Sequence, residues 1–323
     1  MPFNNNISRT DAAALIPEDA STEILKSLPE TSIVMQLARR LTDMSVKQRR
    51  LPVMNALATA YFVSGDNGLK QTSEVNWTNK YIEAEELAVI VPIPEAVLED
   101  SAFNIWGEVQ PALVEAFGIA IDQAVLYGTN IPASWTTNLG AAGLVALSTA
   151  AGNTVSAAAY TDLYEALLGE TAAGVAGSLG KLEEDGYVAS GHVADTSMRR
   201  KLRNVRSTTG ELIFRANMQD STRYDLDGSP IYFPTNGAIS AATALVVSGQ
   251  WNQLVYALRQ DVTYKILDQA VIQDAAGNTI YNLAQQDMVA LRAVMRLGFA
   301  LPNPINRMQP TAASRAPFAV LTA

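Results

Sequence analysis

The chain has 323 residues, 48% of them hydrophobic, and a formal net charge of −9. This length and apolar content suffice for a buried core and favour two domains, whereas the negative charge argues against a protein that wraps nucleic acid tightly. The absence of cysteine excludes disulfides and thiolate metal sites, and the single histidine leaves a catalytic triad only one candidate base.

The sequence predicts neither a membrane anchor nor an export signal. No uncharged apolar stretch reaches about 18 residues, the minimum for a helix that spans a bilayer. The N-terminus MPFNNNISRTD lacks a basic start followed by an apolar run. We therefore expect a protein that is made and used in a cytoplasm.

The first 50 residues are predicted to be an adaptable arm followed by two short helices. Residues 1–19 are polar and rich in Ala. Helices are expected over Ser21–Leu28 and Thr31–Leu41, the second because its apolar residues recur at four-residue steps. A basic cluster follows, which is either a solvated face or a contact with a neighbouring subunit or a scaffold. It consists of Arg39, Arg40, Lys47, Arg49 and Arg50.

Residues 51–85 are predicted to form an extended, two-stranded arm. A turn is expected at Gly65–Gly68, because Gly, Asp and Asn tolerate positive φ. A lone two-stranded hairpin is not stable in water. The arm must therefore pack on something, and a neighbouring subunit is one answer.

A long amphipathic helix is predicted over Ile105–Tyr127, where apolar residues again recur at four-residue steps. Asp100 or Ser101 is expected as its N-cap, and Gly128 as its stop. Pro111 lies inside the segment and is expected to kink or restart the helix.

The rest of the chain mixes short helices and strands. Residues 129–155 are predicted to be a loop, and helices are expected from Asp162 to Leu168 and from Thr196 or Ser197 onward. The strand predicted over Asp287–Phe299 should have one apolar face and one face that is partly exposed to water. The predicted strands are Leu87–Ile93, Tyr187–Ser190, Ala244–Val247, Leu254–Leu258, Val262–Ile272 and Asp287–Phe299.

No pattern in the sequence supports catalysis, a metal or a cofactor. The segment GVAGSLGKL at 174–182 lacks the first glycine and the Ser or Thr of a phosphate-binding loop. His192 has Asp195 nearby but no nucleophile elbow, so a surface or hydrogen-bonded core histidine is favoured. Acidic clusters could be paired carboxylates or a weak cation site, but a structural role is preferred. They contain Glu83, Glu85, Glu86, Glu95, Glu99 and Asp100.

Several segments, in chain order, resemble the major capsid proteins of tailed bacteriophages, which have the Hong Kong 97-type fold. The quoted segments are IPEDASTEILKSLPETSIVMQLARRL, RRLPVMNALATAYFV, VNWTNKYIEAEELAVIVPIPEAVLEDS, IWGEVQPALVEAFGIAIDQAVLYG, SGQWNQLVYALRQDVTYKI and DMVALRAVMRLGFALPNP. Two further segments, HVADTSMRRKLRNVRSTTGELIF and LDGSPIYF, lie between the fourth and the fifth. The segments follow one another from residue 16 to residue 304, so the resemblance extends over nearly the whole chain.

The resemblance implies an α+β, Hong Kong 97-like capsid fold with four parts. These are an N-arm over 1–50, an E-loop hairpin over 51–85, a P-domain with a long spine helix over 86–150 and 281–323, and an A-domain over 151–280. Some family members carry a scaffolding region ahead of the N-arm, whereas this sequence starts almost at the arm. Either scaffolding comes from a separate protein, or that region is absent from the sequence given. Some family members cross-link their subunits covalently through a Lys and an Asn. Lys70 and Lys80 lie on the arm of this chain, but no partner Asn could be matched, so the resemblance is not taken to imply cross-linking.

The implied function is that of a major capsid protein, which self-assembles from pentamers and hexamers into an icosahedral shell around double-stranded DNA. Scaffolding, portal and decoration proteins are expected partners, DNA is contacted weakly, and no membrane is involved. The locations are the virion and, during assembly, the host cytoplasm. The alternatives are an encapsulin-type nanocompartment shell and a carboxylate-dependent enzyme. The candidate inter-subunit contacts are Tyr61, Phe62, Lys70, Trp77, Arg39, Arg40, Arg49 and Arg50.

Overall fold

Runs of helices and runs of strands follow one another along the chain. The computed structural model describes residues 31–63, 68–101, 104–171, 174–205 and 225–323. The helices are α1 (Ile33–Leu37), α2 (Glu95–Asp100), α3 (Ile105–Tyr127), α4 (Ala133–Leu139), α5 (Gly143–Ala151), α6 (Leu163–Leu168), α7 (Ser178–Glu184) and α8 (Thr196–Arg203). The helix predicted at Ser21–Leu28 and most of the turn at Gly65–Gly68 lie outside the described residues.

The strands form two larger sheets and two hairpins. They are β1 (Arg39–Arg40), β2 (Gln48–Ala56), β3 (Asn76–Glu83), β4 (Glu85–Pro94), β5 (Thr154–Ser156), β6 (Gly191–Ala194), β7 (Asp225–Leu226), β8 (Ser229–Tyr232), β9 (Val246–Gly249), β10 (Val255–Leu267), β11 (Val271–Gln273), β12 (Thr279–Asn282), β13 (Met288–Ala300) and β14 (Phe318–Thr322). The hairpins are β2–β3 and β11–β12.

A four-stranded sheet in the order β1-β10-β13-β4 carries the main core. Strand β13 is central, antiparallel to both β10 and β4, so the long predicted strand is confirmed with a shift of one residue. The expectation of a partly wet second face is confirmed, because Arg292 is exposed there while Ala290 and Val294 are buried. At the far end, Gly298 allows the backbone of Glu83 to cross that face closely, where a Cβ would collide.

Helix α3 packs along this sheet as predicted. Its apolar stripe joins the same core cluster as the inward side chains of β13. The N-cap is Asn104, whose side chain accepts from Gly107 N–H at 3.2 Å, and the expected caps Asp100 and Ser101 instead end the separate helix α2. Gly128 ends α3 in the left-handed region with φ 70°, as expected. The helix continues through Pro111 as one element, so the predicted restart is wrong.

By length and composition alone, helix α3 could also cross a membrane. The sequence analysis did not predict this, because it considered only apolar stretches without charged residues. The core helix of a globular protein meets the same criterion. Here Leu113, Phe117, Ile121 and Val125 are buried in the core shared with β13. The helix therefore has a packing role that accounts for its hydropathy.

A six-stranded sheet in the order β5-β14-β9-β6-β8-β7 forms the second layer. Helix α5 packs on one face of this sheet, and its buried residues belong to the main core. Helices α6, α7 and α8 pack on the opposite face and form a separate core. The loop predicted over 129–155 is wrong, since α4 and α5 occupy most of it. Trp135, Leu139 and Leu144 are buried, and this tertiary burial outweighs the weak local signal of an Ala-, Gly- and Thr-rich segment.

Other boundaries differ where pairing is long-range. The helix predicted to reach Leu41 ends at Leu37, because Arg39 and Arg40 pair in parallel with β10. The two strands predicted within 254–272 are instead the single strand β10 followed by β11. The strand expected at Tyr187–Ser190 begins at Gly191, where pairing with β9 starts. The starts of α6 at an Asp162 cap and of α8 at Thr196 are confirmed.

Candidate assembly surfaces

The β2–β3 hairpin is a ribbon with two different faces. Its strands pair antiparallel from Gln48↔Glu83 to Met54↔Trp77, with an irregularity before Ala56↔Asn76. Side chains directly opposite in such a pair lie on the same face, and successive residues alternate between faces. The register therefore assigns every side chain of the ribbon to an inward or an outward face.

The inward face is anchored to the body of the same chain. Val53 and Ile82 are buried, and Ile82 shares a small core with the ends of β10 and β13. Trp135 Nε1 donates to Glu83 O at 2.9 Å, and Asn138 Nδ2 donates to Tyr81 O at 2.7 Å. The root of the ribbon is thus fixed by both apolar packing and hydrogen bonds from α4.

The outward face is exposed and rich in apolar and aromatic groups. Trp77 is 66% exposed, and its cross-strand partner Met54 is 36% exposed. This surface, which we call the outward arm face, consists of Arg50, Pro52, Met54, Trp77, Asn79 and Tyr81. Of the predicted contacts it brings together Arg50 and Trp77.

The part of the arm beyond the ribbon is more exposed still. Phe62 is completely exposed and Leu69 is 89% exposed, while Tyr61 and Lys70 lie on the same surface segment. Tyr61 Oη donates to Gln71 O at 3.0 Å, which links the two sides of this segment. Leu69 was missed by the sequence reasoning, although a large apolar residue between Gly68 and Lys70 is a usable signal.

The predicted basic contacts separate into different environments. Arg39 and Arg40 lie exposed on β1, and Arg40 pairs with Asp43 at 2.9 Å. Arg49 is half-buried on the inward side and donates to the carbonyls of Thr42 and Asp43 at 2.7 and 2.8 Å. Arg49 therefore holds the loop before β2, whereas Arg39 and Arg50 leave their side chains at the surface.

A second exposed apolar surface lies at the far end of β10 and on the β11–β12 hairpin. Ile266 is 61% exposed. The same region exposes Val271, Ile280 and Tyr281. The sequence reasoning identified the strands here but made no prediction of an exposed surface on them.

A buried carboxylate ties the first described segment to the spine-like helix α3. Asp122 is fully buried and accepts from Ser32 Oγ at 2.5 Å and from the N–H groups of Ile33 and Val34, both at 3.1 Å. Burial raises the pKa of Asp122, and these hydrogen bonds act against that rise. This anchor joins residues about 90 positions apart, so local sequence patterns could not reveal it.

Residues that might have carried catalysis have other partners. Glu83 accepts from Gln48, Glu85 from Ser134, and Glu86 from Arg296 at 2.6 Å. Within the described ranges no group of three or more His, Cys, Asp or Glu could hold a metal ion.

His192 is a hydrogen-bonded core residue, one of the two options predicted. Its Nε2 lies 3.3 Å from Leu226 O and its Nδ1 lies 2.8 Å from Ser248 Oγ. Since a carbonyl only accepts, Nε2 carries the proton and Nδ1 accepts from the serine hydroxyl. Burial lowers the pKa of His192 to about 4, which keeps the ring neutral.

Known proteins of one family match this chain over most of its length. The model of the phage capsid family matches residues 12–306. The major capsid protein of Staphylococcus phage 80alpha is 28% identical over 292 residues, which cover 88% of this chain and 80% of that protein.

Solved structures agree over the full length. A chain from Microbacterium phage Oxtober96 superposes with a TM-score of 0.81 at 31% identity, and covers 98% of this chain and 99% of its own. A chain from Mycobacterium phage Adephagia gives a TM-score of 0.79 at 31% identity, with 98% of each chain covered.

The chain therefore belongs to the phage capsid family. It is a shell-forming major capsid protein of the tailed-phage type with the Hong Kong 97-like fold, which confirms the resemblance. The nanocompartment shell and the carboxylate-dependent enzyme are not supported.

Proposed function

We propose that copies of this chain assemble as pentamers and hexamers into an icosahedral shell around double-stranded DNA, and that neighbouring copies cover the outward arm face. The observation that carries the proposal is the two-faced ribbon. Its inward face is anchored by its own chain, while Trp77 and Phe62 remain exposed. Contiguous exposed apolar surface of this kind marks interaction sites. Tyr61, Phe62, Lys70, Trp77 and Arg50 are proposed contacts with a neighbour.

The proposed division of the chain has four parts. We assign 1–50 to the N-arm, 51–85 to the E-loop, 86–150 and 281–323 to the P-domain, and 151–280 to the A-domain. Two strands cross this division in space. Strand β10 pairs in the four-stranded sheet with β13, and β14 pairs in the six-stranded sheet with β5 and β9. These crossing strands join the two proposed domains mechanically.

The proposed partners and locations follow from a shell role. Scaffolding, portal and decoration proteins act on the assembling shell in the host cytoplasm, and the mature protein resides in the virion without a catalytic role. With a net charge of −9, the subunit binds packaged DNA weakly and without sequence preference. Such binding should fade steeply as salt is added, because it rests on counterion release.

Shortening the arm tests the proposal. Residues 57–75 are replaced by an Asn-Gly turn, which suits two residues that directly face each other across the hairpin, Ala56 and Asn76. We expect the unassembled protein to melt cooperatively while electron microscopy shows no closed particles. The matched control replaces 274–278, the residues between the paired Gln273 and Thr279 of the β11–β12 hairpin, by the same dipeptide. Normal particles from the shortened arm would overturn the proposed contact.

A further inference from the structure

A cavity of about 270 Å³, lined by both polar and apolar groups, lies at the root of the arm. Strands β2 and β3 form one wall, and α4 with residues 301–315 forms the other. Its lining includes two cationic side chains, Lys80 from the arm and Arg315 from the body, together with hydroxyl and amide groups. None of the lining residues is an Asp or a Glu.

Lys80 has hydrogen-bonding capacity left over. Its Nζ donates to Leu301 O at 3.2 Å, the one hydrogen bond that it makes within the described part of the chain. An ammonium has three N–H groups, so two remain to face the cavity that Lys80 lines. Burial lowers the pKa of Lys80, and the charge of Arg315 lowers it further. Both effects show that the ammonium is partly desolvated and sits beside a like charge.

Arg315 has no carboxylate hydrogen-bond partner in the ranges that the structure describes. It is 3% exposed, and its guanidinium donates to neutral oxygens: Asn303 Oδ1 and O, Gln309 O and Pro310 O. Among the described residues it makes no ion pair. The buried Asp185 accepts from Asn153 and from Ala316 N–H and does not line the cavity. Arginine stays protonated, so its positive charge persists at the cavity wall.

We propose that this cavity binds one small oxyanion group between Lys80 and Arg315. Burying two like charges is costly unless an opposite charge accompanies them. An oxyanion would accept from the free N–H groups of Lys80 and from cavity hydroxyls, and it would link the arm to the body. Its source is either free phosphate or sulfate, or an acidic side chain of a neighbouring copy, which fits the same acceptor chemistry.

The test begins with the unassembled full chain and inorganic phosphate. We expect the melting temperature to rise saturably with phosphate and to rise less in chloride of equal ionic strength. Lys80→Gln retains a donor for Leu301 O but removes the charge, and should weaken the apparent phosphate affinity about tenfold or more, the loss expected for one charged hydrogen bond. Lys70→Gln, on the exposed part of the same arm, is the matched control and should behave as wild type.

A second measurement does not depend on any variant folding. Broadening of the phosphorus-31 resonance of phosphate by the wild-type chain, reversed by sulfate, would report binding directly. Loss of this broadening in assembled particles would identify a neighbour's acidic side chain as the occupant, and its persistence would identify the free anion. Phosphate that acts no differently from chloride, or a Lys80→Gln variant with unchanged affinity, would overturn the site. Because binding is measured on unassembled protein, the result is separate from whether shells form.

Discussion

Strand β13 and the β2–β3 ribbon both alternate side chains between two faces, but only β13 has most of both faces covered by its own chain. Leu291 and Phe299 of β13 are buried against α3, and Ala290 and Val294 are buried on the opposite side. The ribbon buries Val53 and Ile82 and leaves Trp77 exposed.

The difference teaches what an alternating pattern can and cannot specify. Alternation fixes which residues share a face, but it does not say what covers that face. For β13 the cover is α3, delivered by the same chain. For the ribbon the cover of the outward arm face has to be another molecule, and we propose a second copy. The four predictions below are ranked by their expected effect on the free energy of unfolding of the isolated subunit.

Leu291→Asp should have the largest effect. Leu291 is 3% exposed in the core between β13 and α3, so the new carboxylate would be buried without a partner. Loss of the side chain and burial of a polar group together cost roughly 4 kcal/mol or more, which is a large share of a typical subunit's stability. Circular dichroism melts should show no cooperative transition. Arg292→Asp, exposed on the same strand, should still melt cooperatively.

The long elements could be predicted because their signals are local and strong. The stripe of α3 and its stop at Gly128 are visible in the sequence, as is the alternation of β13. Helices α4 and α5 were missed because they have only 7 and 9 residues and lie among Gly, Thr and Asn, so that packing and not local preference stabilises them. Strand β1 was read as helix because its pairing with β10 lies more than 200 residues away.

The candidate surface was predictable only in outline. Exposure of Tyr61, Phe62 and Trp77 followed from the expectation of an unsupported arm. The outward position of Tyr81 could have been read from its two-residue spacing to Asn79 and Trp77. The Asp122 anchor and the cavity beside Arg315 depend on contacts between distant segments, for which a single sequence holds no signal.

His192 should make the folded body, unlike the arm, sensitive to acid. Its pKa is about 4 in the folded state against 6.5 ordinarily, so the unfolded chain binds the proton first as pH falls. Stability should be unaffected above pH 6.5 and should fall by about 3 kcal/mol between pH 6.5 and 4. Because it is the sole histidine, His192→Gln should remove this component.

Chemical denaturation at several pH values measures the His192 effect as the difference between wild type and variant. Asp122, whose raised pKa works in the opposite direction as pH falls toward its ordinary value of 3.8, is present in both proteins and cancels. If the free energy of unfolding changed with pH in the same way in both proteins, the assignment of His192 as a buried neutral ring would be contradicted.

Ser32→Ala should cost less, about 1–2 kcal/mol, because it removes two hydrogen bonds from the anchor of α1. Ser32 Oγ donates to Asp122 and accepts from Met35 N–H at 3.1 Å. Equilibrium unfolding in guanidinium chloride measures the loss. Thr31→Ala is the control, since the Thr31 hydroxyl is exposed and, among the residues that the structure describes, accepts a hydrogen bond only from Gln36, so its loss should change stability little. An equal loss in both variants would mean that the carboxylate contact contributes nothing.

Trp77→Asp should have the smallest effect on the isolated subunit and a large effect on assembly. Trp77 is 66% exposed on the outward arm face, so its replacement should change the free energy of unfolding by no more than about 0.5 kcal/mol. In a shell, the same carboxylate would be buried against a neighbour, so the yield of closed particles in electron microscopy should collapse. Trp77→Phe keeps an apolar ring and should preserve much of the yield. Strong destabilisation of the unassembled Trp77→Asp subunit would show that its own chain already covers this face, and the contrast with β13 would disappear.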